Sequence, residues 1–274
     1  MSEDFLDKMA GRSRARVQVA MRACPATRMF EQAAQAPAPV PLVPSTAGFD
    51  IIAELKLRSP AAGALQSKPE DLAARVRNYA AAGAVAVSVL TEPSEFHGEL
   101  AHLELAAPAL RASATPALRK DFVVDSYQVA EARAAGASGV LIILRMLAPV
   151  ELQAVMAATE RLGLFALLET FDERDIERAH ELVAGYKESP NPTVLVGVNC
   201  RDLQTLQVVP ARLESLAPLL PRGVPRVAES GVTTPEEARR VRAAGYDMAL
   251  VGSARMRASD PAELMRQMLH AGRS

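Results

Sequence analysis

Six places along the chain put a proton-carrying or anion-holding side chain directly after a short apolar run. They are Glu54 and Lys56, Lys120, Glu169, Asn199 with Arg201, Glu229-Ser230-Gly231, and Gly252-Ser253. Lysine and glutamate are general acids and bases once burial and neighbours shift their pKa values toward neutrality. Glu54, Glu169 and Glu229 facing Lys56, Lys120 and Arg201 also compensate one another when removed from water, where a lone ion would be costly. A salt-bridge plug would satisfy the same charge balance, but a plug does not require lysine and glutamate at separate run ends, a pattern typical of functional sites. The two Ser/Gly pairs have different chemistry. Small residues let backbone N–H groups approach an anion, and at these two places they read as a phosphate site. Phe96, Leu118, Phe122, Leu141 and Leu250 stand at or just past the same run ends. Singly each suits a core, and together they could wall a slot for a planar ring.

For these side chains to meet, the apolar runs must be strands with their carboxyl ends together. Eight runs recur from residue 49: 49–55, 86–90, 116–118, 139–143, 164–168, 194–198, 226–228 and 248–251. Helical stretches separate them, and Gly83, Gly136 and Gly245 each stand a few residues before the next run, as helix-ending residues do. Thr234-Pro235 and Asp260-Pro261, each with a glutamate at the third helical position, mark helix starts. Asp125 offers a further cap, with Gln128 three residues on. Strands that alternate with helices and carry little polar alternation belong to a parallel sheet covered on both faces. Eight such units in about 225 residues match a (β/α)₈ TIM barrel, whose active sites lie at the carboxyl ends of the strands. An open doubly wound sheet is the alternative, although the first strand-to-helix turn carries Glu-x-Lys where that fold has G-x-G-x-x-G.

Ahead of the barrel, residues 3–34 suit one or two amphipathic helices broken at Cys24-Pro25. The stretch 36–48, with Pro37, Pro39, Pro41 and Pro44, suits an extended connector. The organisation expected is therefore a helical N-terminal extension and Pro/Ala-rich linker over 1–48, with the extension over the barrel mouth, followed by a barrel over 49–274. The chain has 274 residues, 49% hydrophobic and 23% charged, with a net charge of -1. Near-zero charge gives no electrostatic case for nucleic acid or an anionic membrane, so an anionic ligand must be met locally. No run of 18 apolar residues suggests a membrane span. Cys24 and Cys200 are too few and too far apart for a disulfide framework, which fits reduced thiols in a cytoplasmic protein. The histidines at 97, 102, 180 and 270 are scattered, and no metal or organic cofactor is expected.

Several separated blocks, in order, carry a family resemblance: Ile52-Ala-Glu-Leu-Lys-Leu-Arg-Ser-Pro60, Ser88-Val-Leu-Thr-Glu92, Leu118-Arg-Lys-Asp-Phe122, Val196-Gly-Val-Asn-Cys-Arg-Asp-Leu203, Ala228-Glu-Ser-Gly-Val232 and Leu250-Val-Gly-Ser253. The stretch from about 49 to 267 resembles the indole-3-glycerol-phosphate synthases of tryptophan biosynthesis. The resemblance implies a carboxy-lyase that closes 1-(2-carboxyphenylamino)-1-deoxyribulose 5-phosphate to an indole with loss of carbon dioxide and water. It implies Lys120 as general acid on the ketone oxygen and Glu169 in the proton transfer of dehydration; physically, flanking cations and partial desolvation are expected to depress the lysine pKa toward neutrality. Glu54 and Lys56 are implied as substrate contacts supporting the acid, and Asn199, Arg201 and Glu229 as polar groups near the reacting centre. Ser59, Ser230, Gly231, Gly252 and Ser253 are implied to hold or border the phosphate. The partner is thus a small phosphorylated molecule, and the oligomeric state is open, a monomer being compatible. Three other readings compete: a divergent paralogue acting on another sugar phosphate; a phosphoribosylanthranilate isomerase, whose family has a cysteine on strand 1 where this chain has Glu54; and a silent barrel that only binds phosphate.

Overall fold

The computed structural model describes residues 5–56, 58–59, 63–64, 71–186, 194–202, 205, 207–252 and 260–274. Eight parallel strands close into a barrel in sequence order: β1 Asp50–Leu55, β2 Ala86–Leu90, β3 Ala117–Lys120, β4 Gly139–Ile143, β5 Phe165–Thr170, β6 Val194–Asn199, β7 Arg226–Glu229 and β8 Met248–Val251. Four strands run one or two residues past the expected apolar runs. Lys120, Asn199 and Glu229 are the last residues of their strands and Glu169 the last but one, so each is held by a sheet ladder and not by a loop.

Helices fill the crossovers where their caps dictate. Asp71, Asp125, Thr234 and Asp260 accept backbone N–H bonds at the starts of α3 (Leu72–Ala81), α6 (Ser126–Ala134), α10 (Pro235–Ala243) and α11 (Pro261–Arg273). Thr234 and Glu237 close a full capping box. The expected partnership of Gln128 with Asp125 takes another form: Gln128 Oε1 accepts from the Val124 N–H at 2.8 Å, and its amide donates to Ser13 Oγ at 3.0 Å. Gly83, Gly136 and Gly245 all adopt φ near +100°, where a side chain is strained.

Ahead of β1 come α1 (Phe5–Ala23) and α2 (Ala26–Gln35), separated by a break at Cys24-Pro25. Only α1 reaches the mouth. Arg12 reaches Glu95 and Ser94, Arg16 reaches Glu92 and Asp121, and Ser13 donates to the Phe122 carbonyl, all on loops that follow β2 and β3. α2 lies along the outer ring against α6, with Arg161 of α7 (Pro149–Arg161) 4.1 Å over the Phe30 ring. The Pro/Ala-rich stretch then crosses the opposite end. Arg111 and Arg133 donate to the carbonyls of Ala38 and Ala36 at 2.8 Å, and the Val40 N–H donates to Ser138, the residue before β4. The segment expected over the mouth therefore descends the full height of the barrel.

Candidate active site

Side chains two residues apart on a strand point to the same side. This alternation stacks Ser88 beneath Leu90, Leu118 beneath Lys120, Leu167 beneath Glu169 and Val227 beneath Glu229. The upper members open into a cavity of about 350 Å³ at the carboxyl ends of the strands. Lys120 Nζ lies 3.2 Å from Glu229 Oε2 and 3.7 Å from Glu169 Oε2. Asn199 Nδ2 donates to Glu169 Oε1 at 2.6 Å, and Asn199 Oδ1 accepts from the Arg201 N–H at 2.9 Å. Lys56 and Glu54 pair separately at 2.6 Å. The two lysines thus stand on different acids.

Electrostatics reverses one expectation. Burial alone would lower the Lys120 pKa, but Glu169, Glu229 and Glu54 outweigh it and hold the ammonium above its ordinary value. Among the described residues, the charged groups within 4 Å of its Nζ are the carboxylates of Glu169 and Glu229. Burial pushes Glu229 up to about 8, with repulsion from Glu169 adding to the effect and the pull of Lys120 only partly offsetting it. Glu54 goes the other way, because Lys56 and Lys120 outweigh its burial and hold it below the usual carboxylate range. Close carboxylates with divergent proton affinities suit a site where one holds a proton and another stays charged.

Ser230 and Gly231 adopt consecutive left-handed conformations, φ 65° and 69°, and both line the cavity with Gly252. A non-glycine residue at φ 65° is strained backbone of the kind that collects at ligand sites. A Cβ on Gly231 would lie 2.8 Å from Cys200 Sγ, and one on Gly252 2.3 Å from Glu54 Oε1, so both positions require the bare backbone. Ser253 and the Ser59 side chain lie outside the described residues.

The apolar wall differs from the sequence expectation at its edges. Phe96, Phe122, Leu141 and Leu250 line the cavity, but Leu118 does not: it is fully buried in the layer below Lys120. Phe5 and Leu6 of α1, Ile143 and Phe171 line it too. Phe5 stacks edge-on to Phe122 at 6.0 Å, and Phe96 lies 6.3 Å from the same ring. The alternation of β4 could have found Ile143, two residues past Leu141; no local signal in the sequence says where α1 docks. Behind Lys120, Asp121 accepts from Arg16, Thr91, Arg119 and the Phe122 N–H, at 2.6 to 3.1 Å, and fixes the chain on which the lysine stands.

A family model described as indole-3-glycerol phosphate synthase matches residues 6–268. The chain belongs to that family. Indole-3-glycerol phosphate synthase from Micrococcus luteus is 43% identical over 253 residues, covering 89% of each chain. The enzyme of that name from Mycolicibacterium vanbaalenii is 39% identical over 276 residues, covering 99% of this chain and 96% of the relative. Among solved structures, orotidine 5'-phosphate decarboxylase from Pyrococcus horikoshii superposes with a TM-score of 0.60 at 14% identity, over 82% of this chain and 99% of the other, a likeness of fold alone. The family match begins at residue 6, so it takes in α1 and α2, whereas the sequence blocks reach back only to about residue 49. No described helix is long and apolar enough to cross a membrane.

Proposed function

We propose that the chain carries out the ring closure of the indole-3-glycerol phosphate synthase family, with Lys120 as the acid and Glu169 as the base. In that reaction the ring carbon bearing the carboxylate of 1-(2-carboxyphenylamino)-1-deoxyribulose 5-phosphate attacks the ketone carbon. The carbonyl electron pair moves to oxygen, which takes a proton from Lys120. Loss of carbon dioxide restores the aromatic ring. The hydroxyl then takes a second proton from an acid of the cluster and leaves as water while a base removes a proton from the carbon next to nitrogen, and one proton from solvent restores the cluster. In this reading Glu169 takes that proton and passes it back to the lysine, which its hydrogen bond from Asn199 and its 3.7 Å distance from Lys120 support.

The observation that carries this reading is a buried ammonium between two carboxylates, opposite a wall of aromatic and aliphatic side chains. A lysine held protonated is a loaded acid at the start of turnover. Its high resting pKa falls once a carboxylate of the cluster takes up a proton and no longer holds the ammonium. Lys56 is the natural partner for the carboxylate that leaves. Ser230, Gly231 and Gly252 offer a rim for the phosphate, and Phe5, Phe96 and Phe122 one for the ring. The isomerase reading lacks its thiol, since Cys200 is buried beneath Gly231, does not line the cavity, and is pushed by burial up to about 11. Incubating purified protein with the anilino-deoxyribulose phosphate and following indole fluorescence tests the proposal. No fluorescence gain from folded protein at saturating substrate would refute it.

A further inference from the structure

Glu229 has one oxygen engaged and one bare. Oε2 accepts from Lys120 Nζ at 3.2 Å, whereas Oε1 is buried and has no hydrogen-bond donor among the described residues. What lies against Oε1 is Gly197, in the middle of β6. A Cβ there would stand 2.2 Å from Oε1, 3.1 Å from the carboxyl carbon and 3.2 Å from Leu167 Cδ1. The Gly197 backbone does not itself call for glycine. It is not among the residues of positive φ, and it is paired in register with Glu169 on one side and Val227 on the other. Glycine weakens a strand and often marks a place where another group must come close. In β6 the group that comes close is a carboxyl of the acid-base cluster.

We propose that Gly197 is a positioning residue for Glu229: the absent side chain leaves a dry seat for Oε1, and seating that oxygen keeps Oε2 beneath Lys120. The assignment rests on the proposed role of Glu229 in the site. A buried oxygen with no donor disfavours the charged carboxylate, which accords with the proton affinity that burial and Glu169 give this group. Filling the seat drives the carboxyl up into the open cavity, where water reaches it, its hold on Lys120 loosens and it ionises at lower pH.

Gly197→Ala, Glu229→Asp and the double variant test this in the indole-forming assay across pH. For Gly197→Ala we expect kcat to fall about tenfold or more, KM to stay within about twofold, and the alkaline limb of the kcat profile to move to lower pH. Aspartate is one methylene too short to reach the seat, so in the Glu229→Asp background alanine at 197 should cost no further turnover. An equal loss from alanine in both backgrounds, or an unchanged pH profile in Gly197→Ala, would make Gly197 a packing residue and overturn the proposal. If Gly197→Ala does not fold, recovery of folding in the double variant supports the seat; a double variant that also fails places the conflict at Leu167 and overturns it. Glu229→Gln separates the two layers of the argument. Unchanged turnover there removes the role of Glu229 itself, while lowered turnover with a silent Gly197→Ala removes only the seat.

Discussion

Arg16→Ala should loosen α1 from the barrel mouth, and its cost can be worked from the contacts. Arg16 donates to Asp121 Oδ1 at 2.6 Å and to Glu92 Oε1 at 3.3 Å, and those carboxylates are 1% and 0% exposed. Breaking a buried pair costs about 3–5 kcal/mol when it leaves a charge uncompensated. Neither charge is left so here. Asp121 keeps Arg119, Thr91 and the Phe122 N–H, Glu92 keeps the N–H groups of residues 94–96, and Arg16 itself is 28% exposed. Discounting for these partners gives roughly 2–3 kcal/mol. At about 2–4 °C per kcal/mol for a chain near this size, Tm should drop by roughly 4–12 °C. Arg12→Ala is the control. Its partner Glu95 is 26% exposed and Arg12 is 41% exposed, so less than about 1 kcal/mol should be lost. Urea titration and thermal melts of both variants measure the difference. Phe5 and Leu6 leave the cavity wall when α1 loosens, so KM should rise in Arg16→Ala more than in Arg12→Ala. Equal stabilities for the two variants would refute the view that α1 is pinned through the residue beside Lys120.

Lys120→Ala should lower kcat by about 10²-fold or more with a smaller change in KM, and Lys120→Arg should not restore it because a guanidinium holds its proton too tightly; wild-type turnover in Lys120→Ala would send the search to Lys56. Glu169→Gln should also lower kcat, and combining it with Lys120→Ala should cost less than the two losses multiplied, as expected if both serve one proton-transfer sequence. For Glu229 the folded pKa, about 8, stands above the ordinary 4.5, so its contribution to stability is full below about 4.5 and is lost as pH rises toward 8. The slope is at most about 1.4 kcal/mol per pH unit, and urea midpoints of Glu229→Gln across that window should be flatter than those of the wild type. Gly231→Ala should raise KM for the phosphorylated substrate and lower stability by about 1–2 kcal/mol, since alanine is strained at φ 69° and its Cβ meets Cys200.

Much of the site was legible because a barrel obliges strand ends to converge. Once the eight runs are recognised, Glu54, Lys120, Glu169, Asn199 and Glu229 follow from their places at the ends. The strand boundaries were less legible, and Arg119 shows why. A charged residue looks like the end of an apolar run, yet Arg119 is 4% exposed because Asp121, Glu131 and Thr91 receive its guanidinium, so β3 continues through it to Lys120. Leu118 was misplaced for the same reason: with the strand two residues longer, it drops one layer into the core. The docking of α1 was not legible. An amphipathic pattern says that one face is covered and says nothing about which surface covers it. The lysine's proton affinity depended on which neighbours lie within 4 Å, a matter of side-chain geometry that residue types alone leave open.

The clasp between α1 and the loop after β3 also has a consequence in time. Arg16 and Asp121 are 105 residues apart, and Ser13 and Phe122 are 109 apart. At about 5–20 residues per second of synthesis, α1 waits roughly 5–20 s for its docking surface to be made. Meanwhile Leu6, Met9, Ala10 and Val17, which the finished barrel buries, have nothing of the mouth to lie on. Helix α1 thus finds its place only after β3 has been made, and a nascent barrel short of β3 has neither its acid nor the helix that walls the ring side of its cavity.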